Sequence, residues 1–399
     1  MSELLTLDVL KEAVIGTAAA FRCRTQLQPA GGEGDKVFPP TYAGAVYAKE
    51  MRRLPGREAP VECVLLDSVQ SQANRMEEAL QQAIDAGRLE IPVVEVDFSG
   101  GDLLTEVGQV TSLQAPHRIA DAILRDSMLD GQEFRKSPEG KRIDTATLAN
   151  ATPLFELCPT ALVFGMWDST GPKGGMGVKF QRAMASEIVG IDAVFGVKTS
   201  SRIDPLQVRA AVKVKKSKDG TWQVAADSEG KDAISPAEVN HGNIPPDISE
   251  VGGVTIRSAE QMIVLSLPAL RRLQFGVNGD NPRKEVNEAG HTVLAALALC
   301  AAALAAEKGF DLRSRCLLWP TEPQIWEILD TPGAEPRKVT LTSEAAIELL
   351  NEAVASAEKV GLTWRKEALV LKPSDQLIQL VKKSQELAAA QSAEAEGDV

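Results

Sequence analysis

Apolar and polar positions alternate along some segments of this chain and recur with helical spacing along others. From Phe21 to Gln28 every second residue is apolar, which is the pattern of a half-buried strand, and Arg22 and Arg24 fall on its polar face. The same criteria predict strands at residues 61–66, 91–98, 160–166, 251–257, 315–319 and 339–342, and helices at 4–20, 68–86, 178–189, 289–308 and 343–360. Strands and helices alternate without a regular βα succession, which favours an α+β fold with an antiparallel sheet.

Composition narrows the possible functions. The chain of 399 residues is 44% hydrophobic, enough for a substantial core, and only 4% aromatic. Its 55 acidic residues outnumber 43 basic ones, which argues against indiscriminate binding of nucleic acid through bulk charge. The scarcity of aromatic residues argues against gripping single strands chiefly by stacking. A polyanion must therefore be held in a local groove, mainly through its backbone.

Several classes of site and compartment find no support in the sequence. Five scattered cysteines without a C-x-x-C pair predict reduced thiols and no disulfides, and three separated histidines predict no metal site or cofactor. The N-terminus lacks the basic start and cleavage site of a signal peptide. The longest apolar run, residues 293–306, is shorter than the roughly 20 residues of a membrane helix, so we expect a buried core helix and a cytoplasmic protein.

A glycine-rich loop follows the first long strand. Gly31, Gly32 and Gly34 give a backbone that can reach positive φ and approach a ligand closely, and Pro39 and Pro40 stiffen the exit. Seven bases and three acids between residues 21 and 57 give this region a local net charge of +4. Such a loop can present amide N–H groups to an anion, although an ordinary solvated surface loop has the same composition.

A second glycine-rich loop spans residues 168–179. We expect it to follow a strand and to open the helix at 178–189, where free N–H groups and the helix dipole favour a phosphate. It fits neither nucleotide fingerprint, because no Gly-Lys-Ser/Thr closes it and Phe180 stands where the dinucleotide motif needs glycine or alanine. A plain structural turn is the alternative.

A basic segment lies further along. Residues 208–224 alternate on either side of a turn at 218–220, which predicts a β-hairpin. Residues 198–218 hold seven bases against one acid, a local net charge of +6 in an acidic protein. We expect this hairpin to face a polyanion and its binding to weaken with salt, unless its charges are only solvated.

Two stretches resemble the backbone subunit of type I-G (formerly I-U) CRISPR surveillance complexes, a branch of the RAMP superfamily. They are the glycine-rich stretch 25–44 and the segment Leu66-Asp-Ser-Val-Gln-Ser-Gln-Ala-Asn-Arg75. The resemblance covers most of residues 20–200 and thins towards the C-terminus. It implies a ferredoxin-like, RRM-type βαββαβ core with an antiparallel sheet and large helical and hairpin insertions. The expected divisions are 1–110, first half of the core; 111–157, helical insertion; 158–224, second half; 225–250, mobile insertion; 251–383, completing helices and strands; and 384–399, disordered tail.

The resemblance also implies a function. It predicts a non-catalytic subunit that polymerises along guide RNA (crRNA) and supports target DNA pairing in antiviral defence. Its partners would be crRNA, the paired target strand, copies of itself head to tail, a large subunit, a fused cap and RNA-processing subunit, and a recruited helicase-nuclease, with no membrane and no cofactor.

The residues expected to contact RNA come from the segments described above. They are Arg22, Arg24, Gln28, Lys36, Tyr42, Lys49, Arg52, Arg53, Gln70, Ser71, Asn74, Arg75, Lys173, Gly174, Gly175, Gly177, Lys179, Arg182, Lys198, Arg202, Lys213, Lys215 and Lys216. The leading alternative is a cytosolic enzyme that binds a phosphorylated small molecule at the loop 171–179. A third possibility is an assembly protein that needs no nucleic acid.

Overall fold

The computed structural model describes residues 3–169, 177–209, 211–217, 221–225, 233–249, 252–277 and 280–396. Its strands, numbered in chain order, are β1 (Glu3–Leu4), β2 (Ala20–Pro29), β3 (Lys36–Val37), β4 (Thr41–Tyr42), β5 (Val46–Tyr47), β6 (Lys49–Arg52), β7 (Val61–Asp67), β8 (Val94–Asp97), β9 (Gln109–Thr111), β10 (Ser127–Leu129), β11 (Gln132–Glu133), β12 (Met166–Trp167), β13 (Lys179–Phe180), β14 (Met184–Ile191), β15 (Val194–Phe195), β16 (Lys198–Arg202), β17 (Val214–Lys216), β18 (Trp222–Val224), β19 (Ile244–Ser249), β20 (Val254–Thr255), β21 (Ser258–Ser266), β22 (Phe310–Arg313), β23 (Cys316–Pro320), β24 (Trp326–Leu329), β25 (Arg337–Thr340) and β26 (Leu369–Pro373).

The helices are numbered in the same way. They are α1 (Leu7–Ile15), α2 (Val69–Asp85), α3 (Ala122–Arg125), α4 (Pro138–Thr145), α5 (Thr152–Leu157), α6 (Thr160–Phe164), α7 (Leu267–Arg271), α8 (Lys284–Glu307), α9 (Ser343–Glu358) and α10 (Asp375–Glu396). Together with the strands they make a mixed architecture, so the expected α+β class is confirmed.

Ten of the described strands form the principal sheet. Eight of them lie side by side in the order β1-β25-β24-β2-β21-β14-β7-β6, and β22 and β23 extend the sheet beside the end of β2. β2 pairs antiparallel with β24, β23 and β21, and β14 pairs antiparallel with β21 and β7. The short β1 joins β25 in parallel. The central part of this sheet is therefore antiparallel, as the alternation of the sequence predicts.

The two faces of the sheet differ in character. Along β2 the side chains of Phe21, Cys23 and Leu27 are buried, whereas those of Arg22 and Arg24 lie on the opposite face. Phe21 and Cys23 pack with apolar sides of α1, α2, α8 and α9 in the main core, and Leu27 packs in a second, smaller core with residues of β7, β14 and β22. We call the other face, which carries the polar residues of β2, the open face.

α8 is the core helix of the molecule. It is long and apolar enough to cross a membrane, but 83% of its most apolar 18-residue window is buried inside the protein. Such burial is typical of a core helix of a soluble protein. The prediction of a buried helix from the apolar run 293–306 is therefore confirmed.

Smaller sheets surround this centre. A five-stranded sheet has the order β11-β10-β26-β8-β9, and a three-stranded one has the order β15-β20-β3. Residues 198–249, which we call the arm, lie between β15 and β20 in the chain and carry the pairs β16–β19 and β17–β18. The predicted hairpin is confirmed by the pairing of β17 with β18, although the turn 218–220 lies outside the described residues.

Two predicted elements are wrong. Residues 160–164 form helix α6 instead of a strand, because a short apolar run suits either element and periodicity does not separate them. Residues 178–189, expected to be a helix, form β13 and most of β14. In β14 the buried residues Met184, Ser186 and Ile188 are two positions apart, and hydrogen bonding on both sides of the strand outweighs local helix propensity.

Candidate nucleic-acid interface

The open face carries the polar residues of β2. The Arg22 Nε donates to Glu327 on β24 at 2.7 Å, and the Gln26 amide donates to Glu260 on β21 at 3.0 Å. Arg24, between them on the same strand, is exposed, and no described residue pairs with its guanidinium. Of the two arginines predicted here, Arg24 is therefore the one whose charge is available to a ligand.

An aromatic residue that sequence reasoning missed lies beside this strand. Trp319 on β23 is directly opposite Gln28 and is 64% exposed. Leu317 and Arg315 are also exposed, and the Arg315 guanidinium lies 4.5 Å from the centre of the Phe38 ring. The alternation of these exposed residues was visible in the sequence, but it lies beyond the segment that the resemblance covers.

The conspicuous segment 66–75 divides between internal and exposed roles. The fully buried carboxylate of Asp67 accepts hydrogen bonds from Gln72 Nε2 at 2.6 Å, Arg75 Nε at 2.9 Å and Arg313 Nη2 at 3.1 Å. A second Arg75 nitrogen donates to the carbonyl of Leu312. Arg75 therefore joins α2 to β22 as a structural residue.

The first turn of α2 presents the remaining polar side chains of this segment. Ser68 caps the helix by accepting from the Ser71 amide at 3.2 Å, and its hydroxyl also donates to that of Ser71. Gln70 and Asn74 are exposed. These two side chains offer hydrogen bonds to solvent or a ligand.

The first glycine loop is partly filled by its own acid. Gly32 and Gly34 have φ of +98° and +83°, which favours glycine at both positions. The Asp35 carboxylate accepts from the Lys36 amide at 2.8 Å and lies where a side chain on Gly31 would have to sit. The Asp35 carboxylate therefore already approaches the backbone at Gly31, where we had expected an anion.

The second glycine loop has a different setting from the one predicted. Lys173, Gly174 and Gly175 lie outside the described residues, and Gly177 is half-buried at the edge of the described part. The strands on either side, β12 and β13, pair antiparallel with Trp167 opposite Lys179. The loop therefore joins two strands, and the expected phosphate site at a helix N-terminus is wrong.

The residues at the base of this loop are placed differently. The Lys179 ammonium lies 5.2 Å from the centre of the Trp167 ring, and Trp167 is 54% exposed. Arg182 turns inward, where its Nε donates to the carbonyl of Phe164 at 3.0 Å and burial lowers the pKa of its guanidinium. Lys179 is thus available at the surface, whereas Arg182 is engaged within the fold.

Two buried ion pairs fix the approach to this loop. Arg135 binds Asp168 at 2.6 Å and also pairs with Asp144. Arg118 forms a two-pronged pair with Glu77, both contacts being 2.7 Å, and donates to the carbonyl of Gly165. Burial raises the pKa of Glu77, and the Arg118 guanidinium opposes that shift. Partners that lie far apart in the chain explain why sequence reasoning missed both pairs.

The arm displays much of its basic charge. Lys198, Lys213 and Lys216 are exposed, and Arg202 and Lys215 are half-buried. Over the whole arm bases and acids nearly balance, eight to seven, so the positive charge is concentrated in residues 198–218.

The acid that lies among the basic residues of the arm is turned inward. Burial tends to raise the pKa of the Asp204 carboxyl, but hydrogen bonds from backbone N–H groups outweigh this effect and lower it. The donors, at 3.0–3.2 Å, are Val208, Leu206 and Gly242. Its charge is thus used within the arm, and the surface of residues 198–217 is left to the bases.

The predicted basic residues between positions 36 and 53 differ in their contacts. The Lys36 ammonium donates to the carbonyl of Val197 at 3.1 Å, and the Lys49 ammonium lies 3.5 Å above the Phe195 ring. Arg52 pairs with Glu187 at 2.8 Å and with Glu50. Two further predicted residues, Tyr42 and Arg53, are exposed.

Some of the predicted residues fall into three groups. Arg22, Arg24 and Gln28 share the open face of the sheet, and Lys36 and Lys49 meet where the arm leaves it. The bases of β16 and β17 lie on the arm itself. Among the described residues no group of three or more His, Cys, Asp or Glu side chains is placed to hold a metal ion.

Comparison with known proteins bears on the first half of the chain. The model of a family described as CRISPR-associated protein GSU0053 (Cas_GSU0053) matches residues 21–195, a range that holds both glycine loops and α2. No curated protein matches. Among solved structures, the crystal structure of Thermofilum pendens Csc2 aligns with 12% identity over 99% of this chain and 92% of that one, at a TM-score of 0.26, which is too low to support a shared fold. The family match confirms, for residues 21–195, the resemblance to a CRISPR-associated protein.

Proposed function

We propose that this chain is a non-catalytic, guide-RNA-binding backbone subunit of a type I-G CRISPR surveillance complex. The observation that carries the proposal is the match of residues 21–195 to a CRISPR-associated family. Copies of the chain would bind along crRNA and hold it for pairing with target DNA. Sequence recognition would then come from base pairing, while the protein supplies a charged surface and regular spacing.

The strand order supports a ferredoxin-like core as part of this proposal. β2, β14, β21 and β24 follow one another along the chain and lie in the order β24-β2-β21-β14, with every neighbour antiparallel. A βαββαβ unit places its strands in the same order, namely fourth, first, third and second. α2 lies between the first and second of these strands, α8 between the third and fourth, and β7 would be an additional edge strand.

We assign RNA contacts to the predicted residues whose polar atoms are open to solvent. Their shared property is exposure without a described ion-pair partner; the set is Arg24, Arg53, Gln70, Asn74, Lys179, Lys198, Lys213 and Lys216. Arginine and lysine would neutralise phosphates, and the two amide side chains would meet phosphate, ribose or base edges. Lys173, Gly174 and Gly175 stay in the proposal on sequence grounds.

The competing proposal, an enzyme for a phosphorylated small molecule, has less support. It depended on a helix that would begin after the loop 171–179, and β13 occupies that place. A backbone subunit needs no such helix, because basic side chains and loop amides suffice to hold the sugar-phosphate backbone of RNA. No catalytic role is therefore part of the proposal.

Assembly follows from the proposed role. Identical subunits that contact one another head to tail form a heterologous interface, which continues as a helical filament when its rotation does not close. We propose a large subunit, a fused cap and RNA-processing subunit, and a recruited helicase-nuclease as the other partners.

Fluorescence anisotropy with labelled single-stranded RNAs of unrelated sequence tests RNA binding. We expect similar affinities for these RNAs and a logarithm of the binding constant that falls linearly with the logarithm of salt concentration. A protein that binds none of the RNAs but copurifies with one nucleotide per chain would overturn the proposal in favour of the enzyme.

A further inference from the structure

The arm is attached to the sheet through two short segments that lie side by side. Residues 194–197 lead into the arm and residues 252–255 lead out of it; we call them the two feet. Their strands β15 and β20 pair antiparallel, and β20 pairs on its other side with β3 from the first glycine loop. Residues 36–49 thus form a socket for both feet.

Tyr47 lies at the centre of the socket. Its side chain is buried, and its hydroxyl oxygen accepts a hydrogen bond from the Gly253 amide at 2.9 Å. Its ring stacks on that of Phe195, with ring centres 6.3 Å apart. One side chain therefore touches the outgoing foot through a hydrogen bond and the incoming foot through a ring contact.

The outgoing foot approaches the socket at Gly253 and the incoming foot at Gly252 too closely for any residue with a side chain. Gly253 has a φ of +84°, and a side chain there would come within 2.9 Å of the Val37 carbonyl. A side chain on Gly252 would lie 1.8 Å from the backbone of Val197. This packing leaves little freedom for one foot to move without the other.

Both lysines of the socket turn towards the incoming foot. Lys36 donates to the carbonyl of Val197, and Lys49 lies over Phe195 at 3.5 Å from the ring centre. A cation over an aromatic face is attracted by the ring and fixes its orientation. The same two lysines were expected from the sequence to contact RNA.

We infer that Tyr47 and Lys49 are positioning residues that fix the direction in which the arm leaves the sheet. They thereby set the distance along a bound strand between the nucleotides held by the sheet side and those held by the arm. The inference rests on the proposed function, and it assigns to Lys49 an action through Phe195 instead of a phosphate contact.

A double-mutant cycle separates the two roles of Lys49. The variants are Lys49→Met, Phe195→Leu and their combination, each measured for affinity to an RNA long enough to reach the arm. If Lys49 acts through Phe195, Lys49→Met weakens binding roughly two- to fivefold in the native background and has no further effect beside Phe195→Leu. An equal loss in both backgrounds would show a direct phosphate contact and overturn the inference.

A conservative variant and nuclease footprinting measure the spacing of protected nucleotides, which simple loss of charge would not change. Lys49→Arg keeps a cation over the ring, so we expect native affinity and native footprint spacing on RNA. We expect Lys49→Met to make the spacing of the protected nucleotides less regular. Sharp, unchanged footprints in Lys49→Met would contradict a positioning role.

Amide hydrogen exchange without RNA tests the socket independently of the proposed function. Tyr47→Phe removes only the hydroxyl, and we expect exchange at residues 252–255 to accelerate roughly two- to tenfold. Tyr42→Phe, which changes the exposed tyrosine on β4, is the matched control and should leave exchange as it is. Unchanged exchange in Tyr47→Phe would refute its role, whereas accelerated exchange in a protein that binds no RNA would refute the proposed function and leave the clamp on the arm standing.

Discussion

The Arg75 guanidinium on α2 donates to the fully buried carboxylate of Asp67 at 2.9 Å. Asn74, the preceding residue on the same helix, is exposed. Two adjacent residues that the sequence marks equally for RNA binding therefore differ in role. Arg75 joins α2 to the strands beneath it, together with Arg313 from β22. Asn74 faces outward.

This difference predicts opposite effects of two neighbouring substitutions. Asp67→Ala leaves Arg75 and Arg313 without their shared carboxylate and is expected to lower the free energy of unfolding by about 3 kcal/mol. Asn74→Ala is expected to leave stability within about 0.5 kcal/mol and to weaken RNA binding. Urea denaturation and RNA titration of both variants measure the two quantities; a destabilised Asn74→Ala, or an Asp67→Ala as stable as the native protein, would refute the division of roles.

Exposed cations on the open face and on the arm should contribute to the salt dependence of RNA binding. Arg24→Ala and Lys213→Ala would each remove one proposed phosphate contact, so the slope of log affinity against log salt should decrease in magnitude by about 0.7 for each. Lys359→Ala, at the end of α9, changes an exposed lysine elsewhere and is the control. A slope altered equally by all three variants would show that net charge, and no particular surface, governs binding.

The buried ion pairs of Arg135, which lie where the second glycine loop begins, predict that loss of this arginine destabilises the fold. Arg135→Met leaves the buried carboxylate of Asp168 and the partly buried carboxylate of Asp144 without this cation, and we expect a loss of about 3 kcal/mol in the free energy of unfolding. Arg125→Met removes a partly exposed arginine that pairs with its neighbour Asp126, and should cost less than about 1 kcal/mol. Thermal and urea unfolding of both variants test the contrast; equal losses would contradict it.

His291 on α8 predicts a pH dependence of stability. Burial lowers the pKa of its imidazole, whose Nε2 lies 2.7 Å from the carbonyl of Leu273. Because the unfolded chain takes up this proton more readily, stability should fall as pH drops below about 6.5 and stop falling below the depressed pKa. His291→Gln should flatten the slope between pH 7 and the acid range, measured by denaturant unfolding at several pH values, while the exposed His117→Gln should retain it. A native slope in His291→Gln would assign it to another group.

Much of the regular structure could be predicted from the sequence. The strand β2 and the helices α2, α8 and α9 carry long, clear patterns, and the structure has them close to the expected bounds. The exchange of helix and strand at 160–164 and 184–191 has a physical cause. Short apolar segments satisfy both periods, so tertiary pairing in the sheet, absent from any local window, determines the result.

The candidate site was less accessible to sequence reasoning. Charge density drew attention to Arg24 and the lysines of the arm, several of which are exposed. It did not reveal that Arg75 binds Asp67 or that Lys36 and Lys49 point at the feet of the arm. Such pairings join residues up to about 160 positions apart. Trp319 escaped notice because it lies outside the segment that resembles a known family.

The central claim is that RNA length sets the number of subunits in the assembly. Light-scattering mass after size exclusion, with guide RNAs of increasing spacer length at low and high salt, tests it most directly. We predict a mass that rises in steps of one 42.7 kDa subunit with RNA length at low salt and collapses at high salt. A constant mass that ignores RNA at every length would contradict the account.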